Sequence, residues 1–226
     1  MRLAATGSRR SARSPRSPRS RCSPPSRRSS RVGGRLLARF ALAVAAAAWC
    51  GVSLSAGTDA QREKAAPCTA CHGDEGRSTL ADIPSLAGQP KQFITTQLVM
   101  FREGNRKSPV MNALAAPLGN AEISELGSYF AAQPAAPAGK PLAPDAASAG
   151  RGLVEKLGCV TCHGPELKGQ QHIPRLAGQR PEYLRTQLLG FKAGTRFDMD
   201  GNMTAAAQPL TPADIETLAT YLSGLP

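Results

Sequence analysis

Length, composition and charge narrow the class of protein. The chain has 226 residues and a formal net charge of +12, a value typical of proteins that bind nucleic acids. However, twelve of its 28 Lys and Arg lie in residues 1–56, which contain no Asp or Glu, so 16 basic and 16 acidic side chains balance in the remainder. Because a neutral protein lacks the basic surface that attracts a phosphate backbone, we expect no nucleic-acid partner.

Residues 1–56 have the composition of a targeting segment. Their basic stretch precedes an apolar run at residues 40–49, which is shorter than the roughly 20 residues needed to span a bilayer. We therefore interpret the segment as a secretory signal that is cleaved within residues 56–60. Its retention as an anchor and a peripheral membrane association are left open. Because the basic stretch is long for a signal, we also hypothesise that translation starts near Val32.

The next feature in chain order is a Cys-x-x-Cys-His pentapeptide, which occurs at residues 68–72 and again at residues 159–163. Two cysteines at this spacing can each add through sulfur to one vinyl group of a porphyrin, and the histidine that follows is placed to bind the iron. We therefore predict two covalently attached haem c groups, in a protein exported to the periplasm. The predicted attachment residues are Cys68, Cys71, Cys159 and Cys162, and the predicted iron ligands are His72 and His163.

A zinc site or a thiol redox pair is the competing interpretation of each Cys-x-x-Cys. Two zinc-binding pairs usually lie about 15–20 residues apart, whereas Cys71 and Cys159 are far more distant. A redox pair of the thioredoxin type does not need the following histidine, and it belongs to an α/β pattern that this chain lacks. These differences favour haem attachment. Because all four cysteines after residue 56 lie in the two motifs, we expect no structural disulfide.

The repeat extends beyond these pentapeptides, which indicates a duplicated lobe. The heptapeptide Ile-Pro-x-Leu-Ala-Gly-Gln occurs at residues 83–89 and 173–179, and Gln-Leu-x-x-Phe and Gly-x-Arg follow each copy. The sequence therefore predicts two haem-binding lobes, at residues 57–132 and 148–226. A Pro/Ala-rich segment at residues 133–147 predicts a semi-extended linker between them.

Apolar residues at helical spacing predict an all-α fold. In each lobe an opening helix precedes the haem motif, most clearly at residues 148–157, and a middle helix ends near a glycine, from about residue 90 to 102 in the first lobe. Thr211, Pro212 and Asp214 have the residue types of a helix N-terminus, which predicts that the last helix of the second lobe begins there.

The duplication also selects a second axial ligand. A six-coordinate haem iron usually pairs its histidine with a methionine sulfur or a second imidazole. Only Met111 and Met203 occupy equivalent places in the two lobes, each seven residues before a leucine that opens the last helix. We therefore predict that these two bind iron, although a methionine is otherwise an ordinary core residue. Because His172 is the only histidine outside the haem motifs, a second imidazole cannot serve both sites, and we interpret His172 as a surface or second-shell residue.

Pro84 and Pro174 follow the two haem-motif histidines by twelve and eleven residues. A metal-bound imidazole usually donates its second N–H to a carbonyl or carboxylate oxygen, and a proline-bearing loop offers a rigid carbonyl for this purpose. The alternative is a simple turn. The residues alone leave both roles open.

These repeated motifs closely resemble the two-haem periplasmic cytochrome c4 group of class I cytochromes c, over essentially the whole chain after the signal. The resemblance implies two class I cytochrome c folds related by an approximate two-fold axis, haem propionates facing the region between the lobes, and a histidine N–H accepted by the carbonyl of Pro84 or Pro174. It also implies electron transfer from a quinol-cytochrome c reductase-type donor to a terminal oxidase-type acceptor. The arginine-rich leader and a two-residue insertion within residues 198–201, beside Met203, depart from the family pattern.

Two occupied axial positions at each haem favour an electron relay, because an enzyme that acts at haem iron needs an open position for its substrate. We therefore expect a protein that is not an enzyme. The alternative is a cytochrome subunit or a haem enzyme, of the peroxidase or sulfur-compound dehydrogenase type, with one catalytic haem. That alternative requires a vacant or displaceable ligand, and Met203, next to the insertion, is the first place to look for it.

Overall fold

The computed structural model describes residues 59–226, so the predicted signal segment lies outside the described residues. Within them the chain forms nine α-helices and no β-strand, and an isolated bridge joins Gln170 to Ile173. The prediction of an all-α fold is confirmed. None of the helices in this part of the chain is long and apolar enough to cross a membrane.

Four helices build the first lobe. They are α1 (Asp59–His72), α2 (Lys91–Arg102), α3 (Pro109–Ala115) and α4 (Asn120–Ala132). Helix α4 packs against α1 and α2, and α3 packs against α2. The predicted middle helix is α2, whose Ile94 and Phe101 are buried on one face. Helix α1 runs through the whole haem motif instead of ending before it.

Five helices build the second lobe. They are α5 (Pro144–Lys156), α6 (Cys159–His163), α7 (Pro181–Lys192), α8 (Asn202–Ala207) and α9 (Pro212–Ser223). Helix α9 packs against α5 and α7, and α8 packs against α7, which repeats the arrangement of the first lobe. The predicted start of the last helix is confirmed, because Thr211 Oγ1 accepts from Asp214 N at 3.1 Å and Asp214 Oδ2 accepts from Thr211 N at 2.8 Å.

The linker is shorter than we predicted. Helix α5 begins at Pro144, so the last four residues of the predicted linker at 133–147 are helical. Proline suits the first position of a helix, where no N–H needs a partner within the helix. Alanine has the strongest helix propensity, so the Pro/Ala-rich composition near the end of this segment also favours a helix start. Residues 133–143 then connect the lobes.

Each lobe has its own apolar core. In the first lobe the largest cluster contains Ala65, Ile94, Leu126, Tyr129 and Phe130. In the second lobe twelve buried residues form one cluster, and five of them, including Ile215 and Leu218, lie on α9. Full burial of a leucine, isoleucine or phenylalanine contributes about 1.5–3 kcal/mol, so these clusters hold the helices together. The separate cores agree with the predicted duplication.

The two haem motifs lie on helices of different construction. In the first lobe the motif forms the end of α1, with Pro67 inside the helix. In the second lobe Gly158 has a φ of 65° and terminates the turn that follows α5, because glycine adopts this left-handed conformation without a steric penalty. The motif at residues 159–163 therefore forms the separate short helix α6.

Candidate haem-binding sites

Each haem motif presents its histidine to the interior and its second cysteine to solvent. His72 is 7% exposed and His163 is 4% exposed, whereas Cys71 and Cys162 are exposed. Burial raises the pKa of the thiols of the first cysteines, Cys68 and Cys159. The four cysteines form no disulfide. No group of three or more His, Cys, Asp and Glu side chains in residues 59–226 is placed to hold a bare metal ion.

The two buried imidazoles are oriented in the same way. The carbonyl oxygen of Pro84 lies 2.8 Å from Nδ1 of His72, and that of Pro174 lies 2.9 Å from Nδ1 of His163. Because a carbonyl oxygen only accepts, Nδ1 carries the proton and Nε2 is the lone-pair nitrogen. Burial lowers the pKa of both rings, and the hydrogen bond to the proline carbonyl opposes this effect only in part. Each ring is thus neutral and can act as a metal ligand through Nε2.

Met111 and Met203 lie on the short helices α3 and α8, and both are partly buried. Their backbone N–H groups are held by residues at matching places, because Ser108 and Asp198 each lie two residues after the repeated arginine. Ser108 Oγ accepts from Met111 N at 3.4 Å, and Asp198 Oδ2 accepts from Met203 N at 2.8 Å. In both lobes the methionine therefore lies near the start of a short helix, with its backbone N–H bound by a preceding side chain.

The other candidate ligands lie in different surroundings. Met100 is buried in α2, whereas Met199 lies in the insertion and is 76% exposed. The side chain of His172 is 45% exposed, and its Nε2 lies 4.0 Å from a carboxylate oxygen of Asp200. These positions agree with the interpretation of His172 as a surface residue.

Two arginines of the repeated Gly-x-Arg motif meet where the lobes adjoin. The guanidinium of Arg106 donates to Gln97 Oε1 at 2.6 Å in its own lobe, and to Tyr183 Oη at 3.0 Å and Gln187 Oε1 at 2.9 Å in the other. The guanidinium of Arg196 donates to the same Gln187 Oε1 at 2.6 Å. Sequence analysis assigned no role to these residues, although the two arginines and the two glutamines belong to motifs that occur twice.

These arginines form no close ion pair with the described residues. Neither Arg106 nor Arg196 has a carboxylate oxygen within 4.0 Å in residues 59–226. Nε of Arg196 is buried without a hydrogen-bond partner, and burial lowers the pKa of this guanidinium to about 10. Buried cations are costly without an anion. The propionate carboxylates of haem c would supply this charge, so the residues present fit the group.

The fold and its two sites define a class of protein, the class I c-type cytochromes with two haems. A family model for Cytochrome c matches residues 147–226. Cytochrome c4 of Thiocapsa roseopersicina is 35% identical over 169 residues, which cover 70% of this chain and 86% of that protein. The thiosulfate dehydrogenase electron acceptor of Thiomonas intermedia is 35% identical over 178 residues, 72% of this chain and 80% of that protein.

A solved structure gives the same result. Reduced recombinant cytochrome c4 from Pseudomonas stutzeri matches with a TM-score of 0.69 and 30% identity, over 76% of this chain and 100% of that one. The chain belongs to the cytochrome c4 group. It is therefore an electron-transfer protein that carries haem c and has redox proteins as partners, and the predictions of family, fold class and cofactor are confirmed.

Proposed function

We propose that this protein relays single electrons in the periplasm, from a quinol-cytochrome c reductase-type donor to a terminal oxidase-type acceptor. Each lobe would use one cysteine pair for attachment, with His72 and Met111 as iron ligands in the first lobe and His163 and Met203 in the second. The observation that carries the proposal is that both lobes contain the same two devices. These are a buried histidine fixed by a proline carbonyl and a methionine whose backbone N–H is capped.

Bound haem c supplies a one-electron couple at each site, and methionine ligation favours its reduced form relative to a second imidazole. The proline carbonyls orient the histidine rings and raise their basicity. The side chains of Ser108 and Asp198 hold Met111 and Met203 on short helices, and each methionine lies in the same lobe as its partner histidine. A histidine and a methionine at each site leave no coordination position for oxygen, peroxide or a sulfur anion, which supports a carrier over an enzyme.

Export through the signal at residues 1–56 belongs to the proposal. It rests on the basic and apolar stretches of that segment and on the covalent cofactor. N-terminal sequencing of protein purified from the periplasmic fraction tests it. A mature chain that starts within residues 56–60 is expected, and a chain that starts at Met1 contradicts cleavage.

A second candidate is the acceptance of electrons from a sulfur-compound dehydrogenase. The similarity to the thiosulfate dehydrogenase electron acceptor of Thiomonas intermedia favours it. Stopped-flow reduction of the ferric protein by a purified quinol-oxidising complex and by a thiosulfate dehydrogenase separates the two donors. The physiological donor reduces the protein rapidly at low ionic strength and more slowly as salt screens the encounter.

The axial ligands are tested by spectroscopy and substitution. A near-infrared methionine-to-ferric-iron band with the intensity of two haems is expected, and the ferrous protein should not bind carbon monoxide. Met111→Ala and Met203→Ala should each lower one midpoint potential, leave the other nearly unchanged and admit carbon monoxide at one haem. Unaltered redox titrations in both variants contradict the ligand assignment. Carbon monoxide binding at one haem of the unmodified protein supports a catalytic haem.

A further inference from the structure

Two buried glutamines cross between the lobes in a reciprocal manner. Gln89 and Gln179, the last residues of the repeated heptapeptide, are 4% and 5% exposed. The amide of Gln179 accepts from Ser85 N at 2.8 Å and from Arg180 N at 3.0 Å, and it donates to Ser85 O at 2.9 Å. The amide of Gln89 accepts from Arg175 N at 3.0 Å and donates to Arg175 O at 2.9 Å. Each glutamine thus binds the backbone of one residue in the other lobe.

The bound residues are the ones that follow Pro84 and Pro174. The N–H of Ser85 and the carbonyl of Pro84 belong to one peptide group, and that carbonyl accepts from Nδ1 of His72 at 2.8 Å. A continuous chain of hydrogen bonds therefore runs from Gln179 through this peptide group to His72. The same chain runs from Gln89 through the Pro174 peptide group to His163.

Hydrogen bonds in such a chain strengthen one another. A peptide group whose N–H donates to an acceptor becomes more polarised, so its carbonyl accepts more strongly. A stronger acceptor at Nδ1 makes the imidazole a more electron-rich ligand, which stabilises the oxidised metal and lowers its potential. Removal of either glutamine should therefore raise the midpoint potential of the haem in the opposite lobe.

We propose that Gln179 tunes the histidine ligand of the first lobe and that Gln89 tunes that of the second, so that each haem site is completed by the opposite lobe. The two glutamines are positioning residues that act through a peptide group and the ring it holds. This inference rests on the proposed function, because it requires His72 and His163 to be iron ligands.

The experiment uses the full haem-loaded protein labelled with nitrogen-15 in its three histidines. Gln179→Leu and Gln89→Leu each remove one amide while they keep an apolar side chain of similar size. Gln133→Leu is the matched control, because this buried amide donates to Tyr129 O at 2.9 Å and contacts neither histidine chain. The readouts are the Nδ1–H resonance of each histidine in the ferrous protein and both midpoint potentials, assigned to the lobes through contacts with the attached cysteines.

Gln179→Leu should move the Nδ1–H resonance of His72 upfield and raise the potential of the first-lobe haem, and leave the second lobe unchanged. Gln89→Leu should give the mirror result. Shifts within the variant's own lobe, equal shifts in both lobes, or effects no larger than those of Gln133→Leu overturn the inference. If either leucine variant does not fold, the corresponding asparagine variant, whose shorter amide withdraws from the peptide, is held to the same expectation.

The unmodified protein supplies an independent measurement. A scalar coupling across the hydrogen bond from Ser85 N–H to the side-chain carbonyl of Gln179 is expected, and its absence overturns the inference without any variant. Failure of the proposed function looks different, because the unmodified protein then shows no iron-bound signals from His72 and His163. If those signals are present and the shifts do not cross between the lobes, the inference alone fails.

Discussion

The two lobes hold their methionine segments by different chemistry at the same place in the repeat. In the first lobe the hydroxyl of Ser108 caps a residue three positions ahead, with an N to O distance of 3.4 Å. In the second lobe the carboxylate of Asp198 reaches five positions ahead at 2.8 Å, and it also accepts from the backbone N–H and the hydroxyl of Thr204. A carboxylate has two acceptor oxygens, so it can bind more N–H and O–H groups of a longer loop than one hydroxyl can. An insertion beside a candidate ligand can thus be accommodated by one change of residue type.

The largest expected effect comes from loss of haem attachment. Replacement of both cysteines by alanine in one lobe should abolish covalent attachment there and unfold most of the lobe, because a chain this small has few buried residues of its own. We expect Cys68/Cys71→Ala to lose more helix than Cys159/Cys162→Ala, because the twelve buried apolar residues of the second lobe form one cluster, whereas only five of the ten in the first lobe do so. Mass spectrometry counts the haems, and far-ultraviolet circular dichroism measures the helix. Equal losses contradict the comparison.

A smaller effect concerns the crossing of helices α5 and α9 in the second lobe, where Gly150 lies at the contact. A Cβ added at Gly150 in α5 would lie 2.3 Å from Tyr221 Cβ in α9, so the two helices would have to separate. Gly150→Ala should therefore reduce the free energy of unfolding by about 1–3 kcal/mol. Gly152→Ala, on the same helix with nothing within 4 Å, is the control and should stabilise by about 0.5–1 kcal/mol. Urea denaturation measures the free energy of unfolding of both variants. If Gly150→Ala leaves it unchanged, α5 and α9 pack less tightly than the structure shows.

The next effect concerns the side chains that cap the two methionine segments. Asp198→Ala should weaken the segment by about 1–2 kcal/mol, the usual cost of a lost helix cap, and so raise the affinity of the second-lobe ferric iron for added imidazole by about 5–30-fold. Ser108→Ala removes one long hydrogen bond and should change the first lobe less. Imidazole titration followed in the visible spectrum measures both. Equal effects in the two lobes would show that the additional contacts of Asp198 contribute nothing.

This cap also has a predictable pH dependence. Burial raises the pKa of Asp198, but the hydrogen bonds that it accepts from the N–H of Met203 and from Thr204 outweigh this effect, so the pKa lies below its ordinary value. A carboxyl group with a lowered pKa in the folded state contributes stability above the unfolded value of about 3.9, and this contribution is lost as the pH falls through the folded value. The difference in stability between the Asp198→Ala variant and the unmodified protein should therefore shrink below about pH 4.

The smallest expected effect lies at the start of the last helix of each lobe. Thr211 caps α9 with its side chain, whereas Gly119 precedes α4 and offers only its N–H, which donates to Glu122 Oε2 at 2.8 Å. Gly119→Thr should stabilise the first lobe by a few tenths of a kcal/mol, and Thr211→Gly should destabilise the second by a similar amount. Thermal denaturation of the two variants compares them. Changes of the same sign would contradict a capping role.

Local patterns predicted the helices that carry most of the core. The start of α9 and the buried face of α2 follow from residue types within one or two turns, and the repeat revealed both haem motifs. Helices α3 and α8 were not predicted, because seven and six residues are too few to show an apolar period. The contacts of Gln179 with Ser85, 94 residues away, and of Gln89 with Arg175, 86 residues away, leave no local signal. Only the occurrence of these glutamines in both copies could have drawn attention to them.

The segment that joins the lobes is fastened to the second one. Gly139 N donates to Ser223 O at 2.9 Å, and Leu142 packs against the second-lobe core. A Cβ added at Gly88 would touch Ala135, so the beginning of the segment also lies close against the first lobe. Residues 133–143 therefore contact both lobes. Because both ends of the segment are fastened in this way, a hinge motion that separates the lobes would first have to break these contacts.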